Sequence, residues 1–233
     1  MIERVHVDLA TPVGQIARFH PAAIAVFEAF DVDYACKGGR SLRDAALATG
    51  AEPDAVLDAI FDSAINAAAS EGTVSELIHR IVTQHHRFES DQLRSILARM
   101  GPSEDGELIR IRRIFSDVVA SMSAHMLREE RMLFPRIEEL DLHPHRVRTG
   151  SITRPLLAEF IEHDFIHERL AKLRELALRM RLRGGAYVDL LDELDALSRG
   201  IHRHLHLENN VLIPRVIDLE NNLKSTRRQA SLS

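Results

Sequence analysis

Four long stretches of this chain carry apolar residues at intervals of three and four, which is the period of a helix and not of a strand. They run over about 75–99, 107–139, 153–183 and 187–220. Thr73 and Glu76 form a capping box ahead of the first. "GPSEDG" separates the first from the second, "DLHPHRVRTGS" is the longest connection, and "RGGA" ends the third. Amphipathic helices joined by short connections hide their apolar stripes against one another, with sequence neighbours antiparallel. The expected fold class is therefore all-α, an up-down four-helix bundle over 73–220. A small N-terminal helical domain precedes it over 1–70. There "TPVGQIARFHPAAIAVFEAF" reads as two short helices broken at Pro21, Ser41 caps "SLRDAALATG", Gly50 ends it, and Pro53 opens another helix. Residues 221–233, "NNLKSTRRQASLS", hold too little apolar content to pack and are expected as a flexible tail.

Charge and cysteine usage exclude several function classes. The net charge is −5 and no basic stripe is present, so nucleic acid is not an expected partner. No run approaches the roughly 20 apolar residues of a membrane-spanning helix, and "MIERVHVDLA" lacks the apolar core of a signal peptide. Cys36 is the single cysteine, so no intrachain disulfide forms, which fits a cytoplasmic location. Histidine stands out, with 13 residues, most of them between 79 and 206.

Positions four apart on a helix lie about 40° from each other and one turn along. In the fourth segment the stripe Leu190, Leu194, Leu197, Ile201, Val211 and Leu212 encloses His204 and Glu208, and leaves His202 and His206 on the polar side. In the second, Ile114, Val118, Met122 and Met132 put His125 and Glu129 on the core face, with Glu130 at its edge. The two segments share the pattern H-x-x-x-E-x-x-x-L-[FI]-P, ending at "LFP" and "LIP". In the third, Leu156, Phe160, Ile166, Leu170 and Leu173 place His163 near the stripe centre and His167 within it. In the first, His85 and His86 are adjacent, and Ile78, Ile81, Val82, Phe88, Leu93 and Ile96 centre nearer to His85. An ionised glutamate on a core face costs several kcal/mol unless compensated. Imidazole with carboxylate suits iron, manganese or zinc better than calcium or magnesium. Two carboxylates from different helices, each able to bridge, suit a pair of ions. The ferritin-like arrangement Glu-x-x-His has the other order and spacing.

With "HMLREERMLFP", "EHD" at 162–164 and "HLHLENNVLIP", the chain resembles the hemerythrin-like superfamily, whose four-helix bundle holds a non-haem di-iron centre. Within it, "DVDYACKGGRSL" is similar to the N-terminal signature of the repair-of-iron-centres group, so the resemblance spans nearly all of the chain except its tail. It implies two iron ions, oxo- and carboxylate-bridged, with His86, His125, Glu129, His163, His204 and Glu208 as ligands. For the first helix the resemblance selects His86 where periodicity favours His85. His167 is a departure, because a His-x-x-x-His pair on the third helix is found in oxygen-carrying hemerythrins, and it joins the candidate ligands. Ala35 is another, replacing the first cysteine of the group's pair, and Lys37 stands where glycine is common. Cys36, in a glycine-containing turn, is a candidate redox thiol.

The resemblance implies a cytoplasmic stress protein that binds or reduces nitric oxide, or donates iron, in the repair of iron–sulfur clusters. The alternative is an oxygen-binding or redox-sensing hemerythrin, and a third class is a di-iron oxidase or iron store. The expected partners are a diatomic ligand (nitric oxide or dioxygen) and iron–sulfur proteins, with neither nucleic acid nor membrane, and a homodimer is left open.

Overall fold

A computed structural model describes residues 7–63, 72–143, 152–183 and 187–230. The expected connections "DLHPHRVRTGS" and "RGGA", His6, His145 and the last three residues of the tail lie wholly or mostly outside these. Among the described residues the chain is all-α, with one isolated bridge between Pro12 and Ser41 and no strand. Among the described residues no helix is long and apolar enough to cross a membrane.

The described residues group into two compact units. The first holds those up to Thr73 together with Leu205–Pro214. Its helices are α1 (Val13–Phe19), α2 (Ala23–Ala29), α3 (Leu42–Thr49) and α4 (Pro53–Ser63). Ser41 caps α3 by accepting from the Asp44 N–H at 3.1 Å, and Gly50 ends it with φ +80°, a left-handed conformation that suits glycine. Phe27 stacks on Tyr34 with ring centroids 5.7 Å apart, and both are buried with Ile16 and Leu42. The turn at 33–40 is tied down by side chains of Leu205–Pro214. Asn209 Nδ2 donates to the Ala35 carbonyl at 3.2 Å, and Asn210 Nδ2 lies 3.2 Å from the Tyr34 carbonyl and 3.1 Å from that of Ala35. These bonds explain why a stretch of the fourth long helix groups with residues far away in sequence.

The second unit, Val74–His204 and from Arg215 on, contains the long rods of the bundle. The first rod is α5 (Val74–Arg80), a π-helical segment Ile81–His86, and α6 (Arg87–Arg99). The second is α7 (Gly106–Arg128), a π segment Glu129–Leu133, and α8 (Phe134–Leu142). The third, α9, runs unbroken from Thr153 to Arg183. The fourth is α10 (Val188–His206), a π segment Leu207–Leu212, and α11 (Ile213–Ala230). Asp105 caps α7 by accepting from the Glu107 and Leu108 N–H groups at 2.8 and 3.2 Å. α5 packs on α8 while α6 packs on α7, so the first two rods are antiparallel; α7 also packs on α9.

Three expectations need correction. The fourth rod does not stop near 220 but stays helical to Ala230. Neither glycine nor proline falls between Arg215 and Ala230, and the Ser225 and Thr226 hydroxyls donate to carbonyls one turn back, at 3.1 and 3.0 Å. Phe88, Met132 and Phe160, counted in apolar stripes, are exposed by 59, 55 and 37 %. Phe88 and Met132 follow or lie within π segments, where the helical phase slips. Phe160 sits on the stripe edge, and Glu159 takes the inward place. His202 and His206, expected on the polar side, are buried.

Candidate metal centre

Within the bundle unit, each of the four rods delivers histidine to the interior. His86 closes the first π segment, His125 lies on the last turn of α7, His163 is mid-α9, and His204 is near the end of α10. Glu129 opens the second π segment. All five are at most 1 % exposed. Glu208, four residues after His204 along the fourth rod, is likewise buried.

These side chains form two donor groups that share one carboxylate. In the first, ligand atoms of His86, Glu129 and His204 lie within 4.8 Å of one another. In the second, those of His125, Glu129, Glu159 and His163 do the same. Glu129 Oε2 is 3.4 Å from His86 Nε2 and 3.3 Å from His125 Nε2. His86 Nε2 and His204 Nε2 approach to 3.1 Å, and the His125 and His163 rings meet edge-on with centroids 4.8 Å apart. Nitrogen and carboxylate donors crowded in a buried space match the preferences of a transition-metal ion, and a carboxylate common to both groups matches a bridged pair.

The other nitrogen of several rings faces a carboxylate that the sequence reading did not select. His204 Nδ1 lies 2.9 Å from Glu89 Oε2, His86 Nδ1 lies 2.8 Å from Glu130 Oε1, and His125 Nδ1 lies 3.0 Å from Glu159 Oε2. Burial raises the Glu89 carboxyl, but the charge and hydrogen bond of His204, with help from His85, outweigh it and hold it at about 2. Glu162 Oε2 is 3.7 Å from His125 Nδ1 and also pairs with Arg128. A signal for Glu89 and Glu159 exists in the sequence: each is spaced four residues from a histidine, His85 and His163.

His85 is outside both groups. It stacks on His204 with centroids 5.5 Å apart, and its Nδ1 is 3.4 Å from Glu89 Oε1. His167 also stands apart from both groups, with Nδ1 3.1 Å from His202 Nε2, while His202 Nδ1 is 2.9 Å from the Ser198 carbonyl. Its place on the stripe is one turn beyond His163, which carries it past the converging donors. In the first unit, His206 packs edge-on to Tyr34 at 5.3 Å, and burial pushes its pKa down to about 4 against the opposing hydrogen bond of the Tyr34 backbone. Cys36 is partly exposed there, and its N–H donates to Asp33 Oδ1 at 2.9 Å.

The model of the hemerythrin HHE cation binding domain matches residues 76–216, and the ScdA_N model, a domain of unknown function (DUF542), matches residues 9–64. The chain is 24 % identical over 218 residues to the iron-sulfur cluster repair protein YtfE of Salmonella schwarzengrund, covering 88 % of this chain and 96 % of that protein. The YtfE proteins of Escherichia coli O1:K1 and of Enterobacter sp. strain 638 are also 24 % identical, with the same coverage. With shared Glu129 joining two buried donor groups, the chain belongs to the hemerythrin HHE cation-binding family of non-haem di-iron bundles and, through its N-terminal match, to the repair-of-iron-centres group.

Proposed function

We propose that His86, His125, Glu129, His163, His204 and Glu208 are the ligands of the family's di-iron centre, and that the protein restores iron–sulfur clusters damaged by nitrosative or oxidative stress. The observation that supports this most is Glu129, whose carboxylate lies between His86 and His125 and belongs to both donor groups. Glu208 holds the matching place in the second copy of the sequence pattern. A bound iron pair would supply a redox-active centre that, when reduced, can bind a diatomic ligand and give it electrons. The chain's own contribution is orientation and exclusion. Val118, Met122, Ile166, Leu197 and Ile201 are buried in the same bundle, which disfavours charged or bulky ligands relative to a small neutral gas. Between nitric oxide and dioxygen, the resemblance of "DVDYACKGGRSL" and the bundle motifs to the repair-of-iron-centres group is what favours nitric oxide. The position of His167 on His202 favours it too, since a fifth histidine at the irons is the feature of the oxygen carriers.

The test is metal analysis and optical spectroscopy of anaerobically prepared protein. About two irons per chain are expected, with the reduced form reacting with nitric oxide. Cells without the protein should recover iron–sulfur enzyme activity more slowly after nitrosative stress. A single zinc per chain with no iron uptake would overturn the metal assignment. A reversible oxygen complex with no response to nitric oxide would replace repair by oxygen binding.

A further inference from the structure

We infer that Glu89, Glu130 and Glu159 are positioning residues that hold His204, His86 and His125 in the Nδ1–H tautomer, so that each ring presents a bare Nε2 to the centre. The inference rests on the iron-ligand reading above.

A neutral imidazole carries one N–H, and the hydrogen bond made by one nitrogen decides which. An ionised carboxylate only accepts. The three contacts, at 2.9, 2.8 and 3.0 Å, therefore place the proton on Nδ1 in each ring. The Nε2 atoms lie on the opposite edges of these rings, and two of them converge on Glu129 Oε2, at 3.4 Å for His86 and 3.3 Å for His125. His204 Nε2 joins them through its 3.1 Å approach to His86 Nε2. With both Nδ1 atoms protonated, that approach sets two lone pairs against each other, and a cation between them resolves the conflict. Glu159 belongs to a donor group by distance, yet it faces the outer nitrogen of His125 while Glu129 faces the inner one, which makes it a support and not a ligand.

The three supports are not equal. Glu89 and Glu159 are buried, whereas the Glu130 side chain is 43 % exposed. A carboxylate screened by less water acts more strongly. Glu89 also approaches His85, with Oε1 3.4 Å from its Nδ1, while Oε2 faces His204.

The experiment uses the full chain with nitrogen-15 labelled histidine, metal-free, and reads ring-nitrogen shifts by NMR. Nδ1 is expected to be protonated in His86, His125 and His204. Glu89→Gln should lower the Nδ1–H population of His204 and leave that of His125 unchanged, because an amide can donate to Nδ1 where a carboxylate cannot. Should Glu89→Gln fail to fold, Glu130→Gln makes the same forecast for His86 at a half-exposed site. Ferrous iron affinity, measured against a chromophoric chelator under anaerobic conditions, should fall about 10–100-fold for Glu89→Gln. Wild-type rings with bare Nδ1, or a His204 tautomer indifferent to Glu89→Gln, would overturn the inference. Protonated Nδ1 atoms in a chain that takes up no iron would leave the tautomer assignment standing and refute the di-iron reading.

Discussion

At the residue scale, the tightest constraint outside the centre is the meeting of two glycines with Asn210. A Cβ on Gly14 would sit 2.2 Å from Asn210 Oδ1, and one on Gly38 would sit 2.5 Å from the same atom and 2.8 Å from the Tyr34 carbonyl oxygen. Both distances are far inside van der Waals contact, and the second obstacle at Gly38 is backbone. Gly38→Ala is therefore expected to lower stability by about 1–3 kcal/mol through overpacking, read by urea denaturation of the full chain. An unchanged midpoint would show that Asn210 gives way without cost. The need for these glycines was half legible. "KGGR" reads as a turn from its sequence, but the reason Gly38 stays small is an asparagine 172 positions later. The reverse holds for Glu129: its four-residue spacing from His125 on a regular helix made its inward direction readable without any structure.

At the element scale, the π segments decide which histidine of the first rod points inward. Ile78 and Ile81 are both buried, and a regular helix would next bring His85 to that face. The segment Ile81–His86 contains a wider turn, so the inward place falls one residue later, on His86. The same slip exposes Met132 and buries Leu133 in the second rod. Deleting exposed Gln84 should close the first π segment to a regular turn and keep α5 and α6 on their faces, while displacing the His85–His86 pair. The expected result is undiminished helical circular dichroism with ferrous iron affinity down at least about tenfold. Unaltered affinity would mean that α6 alone positions His86.

At the scale of the whole molecule, the bundle unit is built on an extensive apolar core. Leu93, Ile111, Phe115, Met122, Ile166 and Leu170 are each at most 1 % exposed. Glu129 and Glu208 are buried carboxylates, and ionising them away from a cation costs several kcal/mol each, which opposes folding. The double variant Glu129→Ala, Glu208→Ala should therefore lose the iron pair yet keep its helical circular dichroism. Loss of the helical signal would make the metal a structural requirement. Iron should also raise the Tm of the wild-type chain and leave that of the double variant unmoved, since a ligand stabilises only the state that binds it. Equal shifts in both would place the iron elsewhere.

Helix, bundle and the inward direction of most candidate side chains were determined by the sequence alone, because apolar intervals of three and four and histidine–glutamate pairs four apart encode direction on a regular helix. His125, Glu129, His163 and His204 all point where that arithmetic sends them. Tertiary structure decided what the arithmetic assumes or cannot count. Wherever the helix widens into a π turn, the period breaks, and His86 replaces His85. Wherever a rod is surrounded, polar residues such as His202 and His206 are buried against partners distant in sequence. Glu89, Glu130 and Glu159 each come from another rod than the histidine they touch, so only packing could decide which ring each one faces.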